Sequence, residues 1–275
     1  MRAISLEYHD VVRDGEWQSS GLVGPGANSY KLSDAEFRTS LEAISRNNGE
    51  TPVLAEHLLE TRQERLPLLL TFDDGGIGAW MHAADILDEF GWKGHFFVIA
   101  NRIGSVGFLQ RDHIRELRQR GHVIGSHSYS HPQRMAALSG EAIYEEWRRS
   151  AEELSEVLGE AIETASIPGG YYSRGVAAAA ARAGYRFLFT SEPVTEAAHF
   201  DDCLVLGRFT ARPGYPPEWF TELAAGSQSR ILRERLHWDF KKGLKRILGP
   251  TWLPIRAWLV DKYYGVAGSA TESIR

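Results

Sequence analysis

Leu66-Pro67-Leu68-Leu69-Leu70-Thr71-Phe72-Asp73-Asp74-Gly75 (LPLLLTFDDG) is apolar almost without interruption until it ends in two adjacent acids. A strand with one wet face alternates apolar and polar residues. A short run with no alternation, opened by Pro and closed by Gly, predicts a parallel strand covered on both faces. Such sheets gather their chemistry at the C-terminal ends of the strands, where Asp73 and Asp74 stand. Two neighbouring carboxylates at the end of a buried strand cost desolvation and repel each other, and a cation beside them relieves both. If the chain turns there, Asp74 can ligate an ion while Asp73 takes a proton. From these residues alone a capping or turn pair reads equally well.

Outward from this stretch the chain alternates. A helix is predicted over residues 80–90, closed by Gly91, then a strand over 95–100 (HFFVIA) and a helix over 111–120 stopped by Gly121. A strand follows over 122–126, then a long amphipathic helix over 141–158 with Ile143, Trp147, Leu154 and Leu158 on one face, a strand over 164–167, and an Ala-rich helix over 175–183. Residues 187–190 and 204–209 read as the last strands, and residues 4–12 as a first buried strand. Ser33-Asp34-Ala35-Glu36 is a capping box, with Phe37, Leu41 and Ile44 on one helical face beyond it. This rhythm predicts an α/β fold with parallel strands in a barrel or open sheet. A barrel unit over 1–225 and a helical C-terminal extension over 226–275, packed on the barrel, are expected.

The 275 residues, 43% of them hydrophobic, suffice for one sizeable core, and a net charge of −5 argues against a nucleic-acid partner. Eight Trp and ten Tyr suit a core first and a sugar-binding surface second. The single cysteine, Cys203, permits no intrachain disulfide. The first residues lack an apolar leader core, and no apolar run reaches the ~20 residues of a spanning helix, so a cytoplasmic location is expected. After Gly226 the sequence turns basic and amphipathic. Lys241, Lys242, Lys245 and Arg246 cluster beside Trp238 and Phe240, and a second stretch, TWLPIRAWLVDKYYG, is interrupted by Pro254. This is either packing against the barrel or a peripheral contact with an anionic membrane or a partner.

Two further patches fall at strand ends. His127-Ser128-Tyr129-Ser130-His131 spaces two imidazoles at i and i+4, one face of a helical turn, close enough to share an ion. Ser166-Ile167-Pro168-Gly169-Gly170 is a common turn composition that also lets backbone N–H groups approach a developing oxyanion.

Taken in order, TFDDG (71–75), GHVIGSHSYSH (121–131) and SIPGG (166–170) resemble the NodB-type polysaccharide deacetylases, carbohydrate esterase family four, over residues 66–209. The opening LEYHDVV is similar to that family's first strand. The resemblance implies a distorted (β/α) barrel of fewer than eight parallel strands and hydrolysis of N-acetyl groups on a glycan or glycan precursor. It implies Asp73 as general base and Asp74, His127 and His131 as ligands of zinc or another divalent ion. It further implies the Gly169 N–H as oxyanion donor and Leu206 as a wall of the acetyl pocket. Tyr171 and His9 are the expected substrate contacts.

The sequence departs from the family pattern twice. Ser166 stands where the family has an Arg that orients the base, and Arg208 stands where it has a catalytic His. Arg208 or Arg174 is therefore expected to orient Asp73, with His9, Asp10 or Glu192 open as proton donor. These departures keep two alternatives in view: an amide hydrolase on the same scaffold acting on a cyclic ureide or imide, and a glycan-binding protein without activity.

Overall fold

The computed structural model of the protein describes residues 1–46, 51–59 and 65–248, with the backbone alone over 244–248. The residues of the TWLPIRAWLVDKYYG stretch and the C-terminal tail lie outside the described residues, as do the side chains of Lys245 and Arg246.

In chain order the elements are β1 (Ile4–Tyr8), β2 (Val11–Val12), α1 (Pro25–Asn28), β3 (Leu32–Ser33), α2 (Asp34–Ser45), β4 (Leu68–Phe72), α3 (Ala84–Glu89), β5 (His95–Val98), α4 (Arg111–Gln119), β6 (Val123–Ser126), α5 (Gly140–Leu158), β7 (Thr164–Ser166), α6 (Arg174–Arg182), β8 (Phe187–Phe189), β9 (Ala198–Phe200), β10 (Cys203–Leu206), β11 (Phe209–Thr210), α7 (Pro217–Ala224) and α8 (Gln228–Leu248). The main sheet runs β11-β1-β4-β5-β6-β7-β8-β10-β9. Every pairing in it is parallel except β9 on β10.

This order forces curvature. β10 and β11 lie near opposite ends of the sheet, yet only Gly207 and Arg208 separate them. Three residue steps span roughly 11 Å at most, so the sheet must curl until its ends nearly meet. Two backbone links help close it, Ala3 N–H to Thr195 O at 2.9 Å and the Arg2–Glu196 bridge. β10 and β11 are in effect one stave broken at the seam. With β1, β4, β5, β6, β7 and β8 they make a distorted (β/α) barrel of seven parallel staves.

The unbroken apolar run of β4 now has its reason. Leu68, Leu70 and Phe72 join the outer core under the helices, where Tyr8, Phe37, Phe72 and Phe96 pack ring against ring. Leu69 points the other way, into an inner cluster with Phe97, Phe187, Phe189, Leu204 and Leu206. Strand alternation therefore puts Leu69, Thr71 and Asp73 on the interior side. On β1 the same parity puts Ser5 and Glu7 inside.

Boundaries differ from the sequence reading in three instructive places. The expected strand over 4–12 stops at Tyr8, whose carbonyl accepts the Asp73 N–H at 3.0 Å; β2 then leaves to pair with β3. The expected strand over 204–209 breaks where the chain crosses the seam. A Cβ at Gly207 would lie 2.4 Å from Glu192 O and 2.5 Å from Val194 O, a space only glycine fits. The helix expected over 80–90 begins as a π-turn (Ala79–Ala83) and becomes α3 only afterwards; such turns often mark functional ends. Elsewhere local chemistry sets the ends as expected. The Ser33–Glu36 capping box starts α2, and Gly159, left-handed at φ 74°, ends α5.

Candidate active site

The site lies at the C-terminal ends of β1, β4, β6, β7 and β8. At the end of β4 the chain turns sharply: Asp74 has φ 75° and Gly75 φ 69°. That turn breaks the strand parity, so Asp73 and Asp74 can face the same space. Among the described residues, four non-glycines have positive φ: Asp74, Ser128, His131 and Asp201. Three of the four are here, the concentration of backbone strain expected where side-chain placement outweighs comfort.

His127 and His131 do not sit on a helical turn, as their spacing suggested. Ser128 (φ 62°) and His131 (φ 57°) are left-handed, and the Ser128 hydroxyl accepts the His131 N–H at 3.0 Å. This tight hydroxyl-closed turn brings the two rings to 5.0 Å between centroids by another route. Asp74 Oδ1 lies 3.5 Å from Nε2 of both histidines. Asp74, His127 and His131 each offer a ligand atom within 4.8 Å of the others.

Hydrogen bonding fixes how His127 presents itself. Its Nδ1 lies 2.6 Å from Ser166 Oγ and 3.2 Å from Ser166 O. A carbonyl only accepts, so Nδ1 carries the proton and Nε2 turns its lone pair toward Asp74. The Ser166 hydroxyl is then free to donate to Asp73 Oδ1 at 3.0 Å. Ser166 thus joins one candidate ligand to the candidate base.

Arg208 holds the other side of Asp73. Its guanidinium grips the carboxylate two-pronged, Nη1 to Oδ1 at 2.7 Å and Nη2 to Oδ2 at 2.8 Å. It also pairs with Glu7 Oε1 at 2.8 Å and donates from Nε to Thr190 O at 3.0 Å. Arg208 has no exposed surface. Glu7 is satisfied in turn by hydroxyls of Ser191, at 2.8 Å, and Thr210. One buried cation between two buried acids leaves neither acid unpaired.

The electrostatics separate the two aspartates. Burial raises the Asp73 carboxyl, but Arg208 and the Ser166 hydroxyl outweigh it and hold Asp73 below the usual carboxylate range. Among the described residues no Lys or Arg pairs directly with Asp74. Burial pushes it up to about 7, with Asp73, Asp10 and Glu7 adding to the rise and His9 opposing it. Burial, then the charge of His131, keeps His127 well below its ordinary value, and burial lowers His131. The result is two neutral imidazoles beside an acid that keeps its proton unless a cation arrives, a donor set suited to a divalent ion.

The remaining expected residues are scattered. His9 is half-buried against Tyr30 (4.6 Å between rings), groups with Glu7 and Asp73 within 4.8 Å, and has a buried Nδ1 without a partner. Asp10 is buried against Gly76, where a Cβ would meet its Oδ2 at 2.3 Å, and lies near enough to Asp74 to help raise its carboxyl. Glu192 reaches outward to Lys242 at 3.4 Å, and Arg174 opens α6 at the surface. Gly169 takes the left-handed conformation (φ 64°) in the Pro168–Gly170 turn. Beside it Tyr171, 38% exposed, lies under the Arg134 guanidinium at 5.4 Å. Leu206 is buried in the inner cluster with Phe97 and Phe189. Sequence reasoning missed Glu7, Ser191 and Thr210; the one available signal was a lone acid inside the apolar strand ISLEY.

Comparison with known proteins agrees with the fold. Residues 61–188 match the family model described as Polysaccharide deacetylase. The Bacillus subtilis protein YxkH, described as a polysaccharide deacetylase, is 27% identical over 192 residues, 68% of this chain and 64% of its own. A chitin deacetylase of Arthroderma benhamiae is 41% identical over 64 residues, 23% of this chain and 17% of its own. The chain thus spans less than two thirds of the length of these relatives. Among solved structures, the Streptococcus pyogenes deacetylase PplD, in complex with acetate, superposes with a TM-score of 0.66 at 22% identity, covering 82% of this chain and 98% of its own. IcaB from Ammonifex degensii gives 0.67 at 22%, covering 82% and 97%. The fold is the distorted (β/α) barrel shared with these solved structures. Over residues 61–188 the chain is similar to the polysaccharide deacetylase family.

Proposed function

We propose that the protein hydrolyses N-acetyl groups on a glycan or glycan precursor, with a divalent ion, zinc or a similar metal, held by Asp74, His127 and His131. The observation that carries this reading is Asp74 Oδ1 equidistant, at 3.5 Å, from two neutral Nε2 atoms, with an ionised Asp73 pinned beside it. The donor set of one carboxylate and two imidazoles leaves room for water and substrate. When bound, the ion supplies Lewis acidity toward the acetyl carbonyl.

The rest is the work of the chain's own side chains. Asp73, kept ionised by Arg208 and Ser166, takes the proton of the attacking water. Arg208 is a positioning residue: being fully buried, it cannot reach substrate, and it supplies the orienting cation that the position of Ser166 lacks. The Gly169 N–H serves the oxyanion. Tyr171 offers an exposed ring to a sugar face, and Leu206 backs the acetyl group. His9, beside Glu7 and Asp73 and with a free Nδ1, protonates the departing amine.

The test is acetate release from N-acetylated chito-oligosaccharides and UDP-N-acetylhexosamine, with and without chelator, alongside metal analysis of the purified protein. Chelator-sensitive release that Asp73→Asn abolishes supports the reading. Full release in chelator, or no release from any acetylated sugar by metal-loaded protein, refutes it. His9→Gln separates the acid from the base: it lowers turnover while leaving bound metal unchanged.

A further inference from the structure

On α8, Leu232, Leu236 and Phe240 are 55%, 59% and 69% exposed. Spaced every fourth residue, they form one stripe along the helix. The opposite face is the one that packs: Ile231, Glu234 and Trp238 are half-buried, and Glu234 accepts the Trp219 Nε1–H of α7 at 2.8 Å. The apolar stripe therefore points directly away from the barrel. Arg233 borders it on one side, Arg235 and Lys242 on the other, all exposed. Asp239 is the one exposed acid on this part of the helix.

An apolar strip between two basic margins, on a helix anchored only by its far side, has the layout of a helix lying in the headgroup region of a bilayer. We propose that α8 docks the protein on an anionic lipid surface, with Leu232, Leu236 and Phe240 entering the acyl boundary and the basic margins meeting lipid phosphates. Charge decides among occupants. A second copy of this helix would set Arg233 and Arg235 against like charges, whereas an anionic surface complements both margins at once. No helix among the described residues is long and apolar enough to cross a membrane. Lys242 also ties α8 to Glu192, whose carbonyl accepts the Arg208 N–H at 2.9 Å.

The 275-residue chain is sedimented with phosphatidylcholine vesicles with and without phosphatidylglycerol, at low and high salt. Binding should need the anionic lipid and weaken as salt rises. Phe240→Ser should cut it about tenfold by removing a buried ring, and the double change Arg233→Glu with Arg235→Glu tenfold or more, at roughly 1 kcal/mol for each basic residue near the surface. Both variants should keep the wild-type melting temperature and the wild-type rate on soluble chito-oligosaccharides. Equal binding to neutral vesicles, or full retention of binding by either variant, overturns the proposal. A wild-type dimer that Phe240→Ser turns into a monomer would assign the stripe to a second copy instead. Because the readout is lipid binding, its failure leaves acetate release untouched, and failed acetate release leaves the docking result standing.

Discussion

Asp74→Asn should destroy the metal site and at the same time stabilise the metal-free protein above neutral pH. Burial pushes the Asp74 carboxyl up to about 7 in the folded chain, from an ordinary value near 3.8. Between those values the folded chain keeps a proton that the unfolded chain has released. Folded molecules then bind more protons than unfolded ones, and stability falls as pH rises. The cost is absent below pH ~4, grows through the window, and is complete above pH ~7. Three units at 1.36 kcal/mol each amount to about 4 kcal/mol at pH 8. Asparagine keeps the shape and removes the charge. Urea unfolding of chelator-stripped wild type and variant, from pH 4 to 8, measures the difference directly. The curves should coincide at pH 4 and separate in the variant's favour by several kcal/mol at pH 8. Adding zinc should reverse the order, because the ion binds the folded wild type and leaves the variant unchanged. Equal stability of the two stripped proteins at pH 8 would refute the reasoning, since Asp74 would then have a compensation not visible around it.

Arg208→Met strands Asp73 and Glu7 as unpaired buried acids and should cost about 3–5 kcal/mol in a denaturant titration. Arg208→Lys should retain most of that stability but lose the two-pronged grip, with turnover down ~100-fold and bound metal unchanged. Ser166→Ala removes the hydroxyl between His127 Nδ1 and Asp73, and should weaken metal affinity by roughly 10- to 100-fold in a competition titration. Gly75→Ala must adopt φ 69° with a new Cβ 3.1 Å from Val98 Cα, and should lower the free energy of unfolding, read by urea titration, by about 1–2 kcal/mol or more.

Much of this molecule was legible in its sequence, and the unread parts share a cause. β4 and β5 were readable because both faces of each are buried, which leaves nearly continuous apolar runs. The Asp73–Asp74 pair and the two histidines were readable because acids and imidazoles are costly at such strand ends. Their backbone was not: i and i+4 suggested a helical turn, whereas Ser128 and His131 use left-handed residues closed by a hydroxyl. Glu7 escaped notice because its partner, Arg208, is 201 positions away along the chain. β9 escaped because an edge strand of three part-exposed residues, AHF, has no pattern to offer. The break at Gly207 and Arg208 depends on where two distant strands meet.

That break ties assembly to competence. Arg208 lies at the seam where the last stave meets the first, and it steadies an acid at the end of β4 and an acid on β1. Thr210, also past the seam, reaches Glu7 across 203 positions of sequence. Contacts so far apart along the polymer are slow to form, because a long loop must close first. A nascent or clipped chain ending before Gly207 can keep its inner staves and both imidazoles, yet its proton acceptor has nothing to aim it. Turnover then works as a gauge of ring completion, silent in every species whose first and last staves have not met.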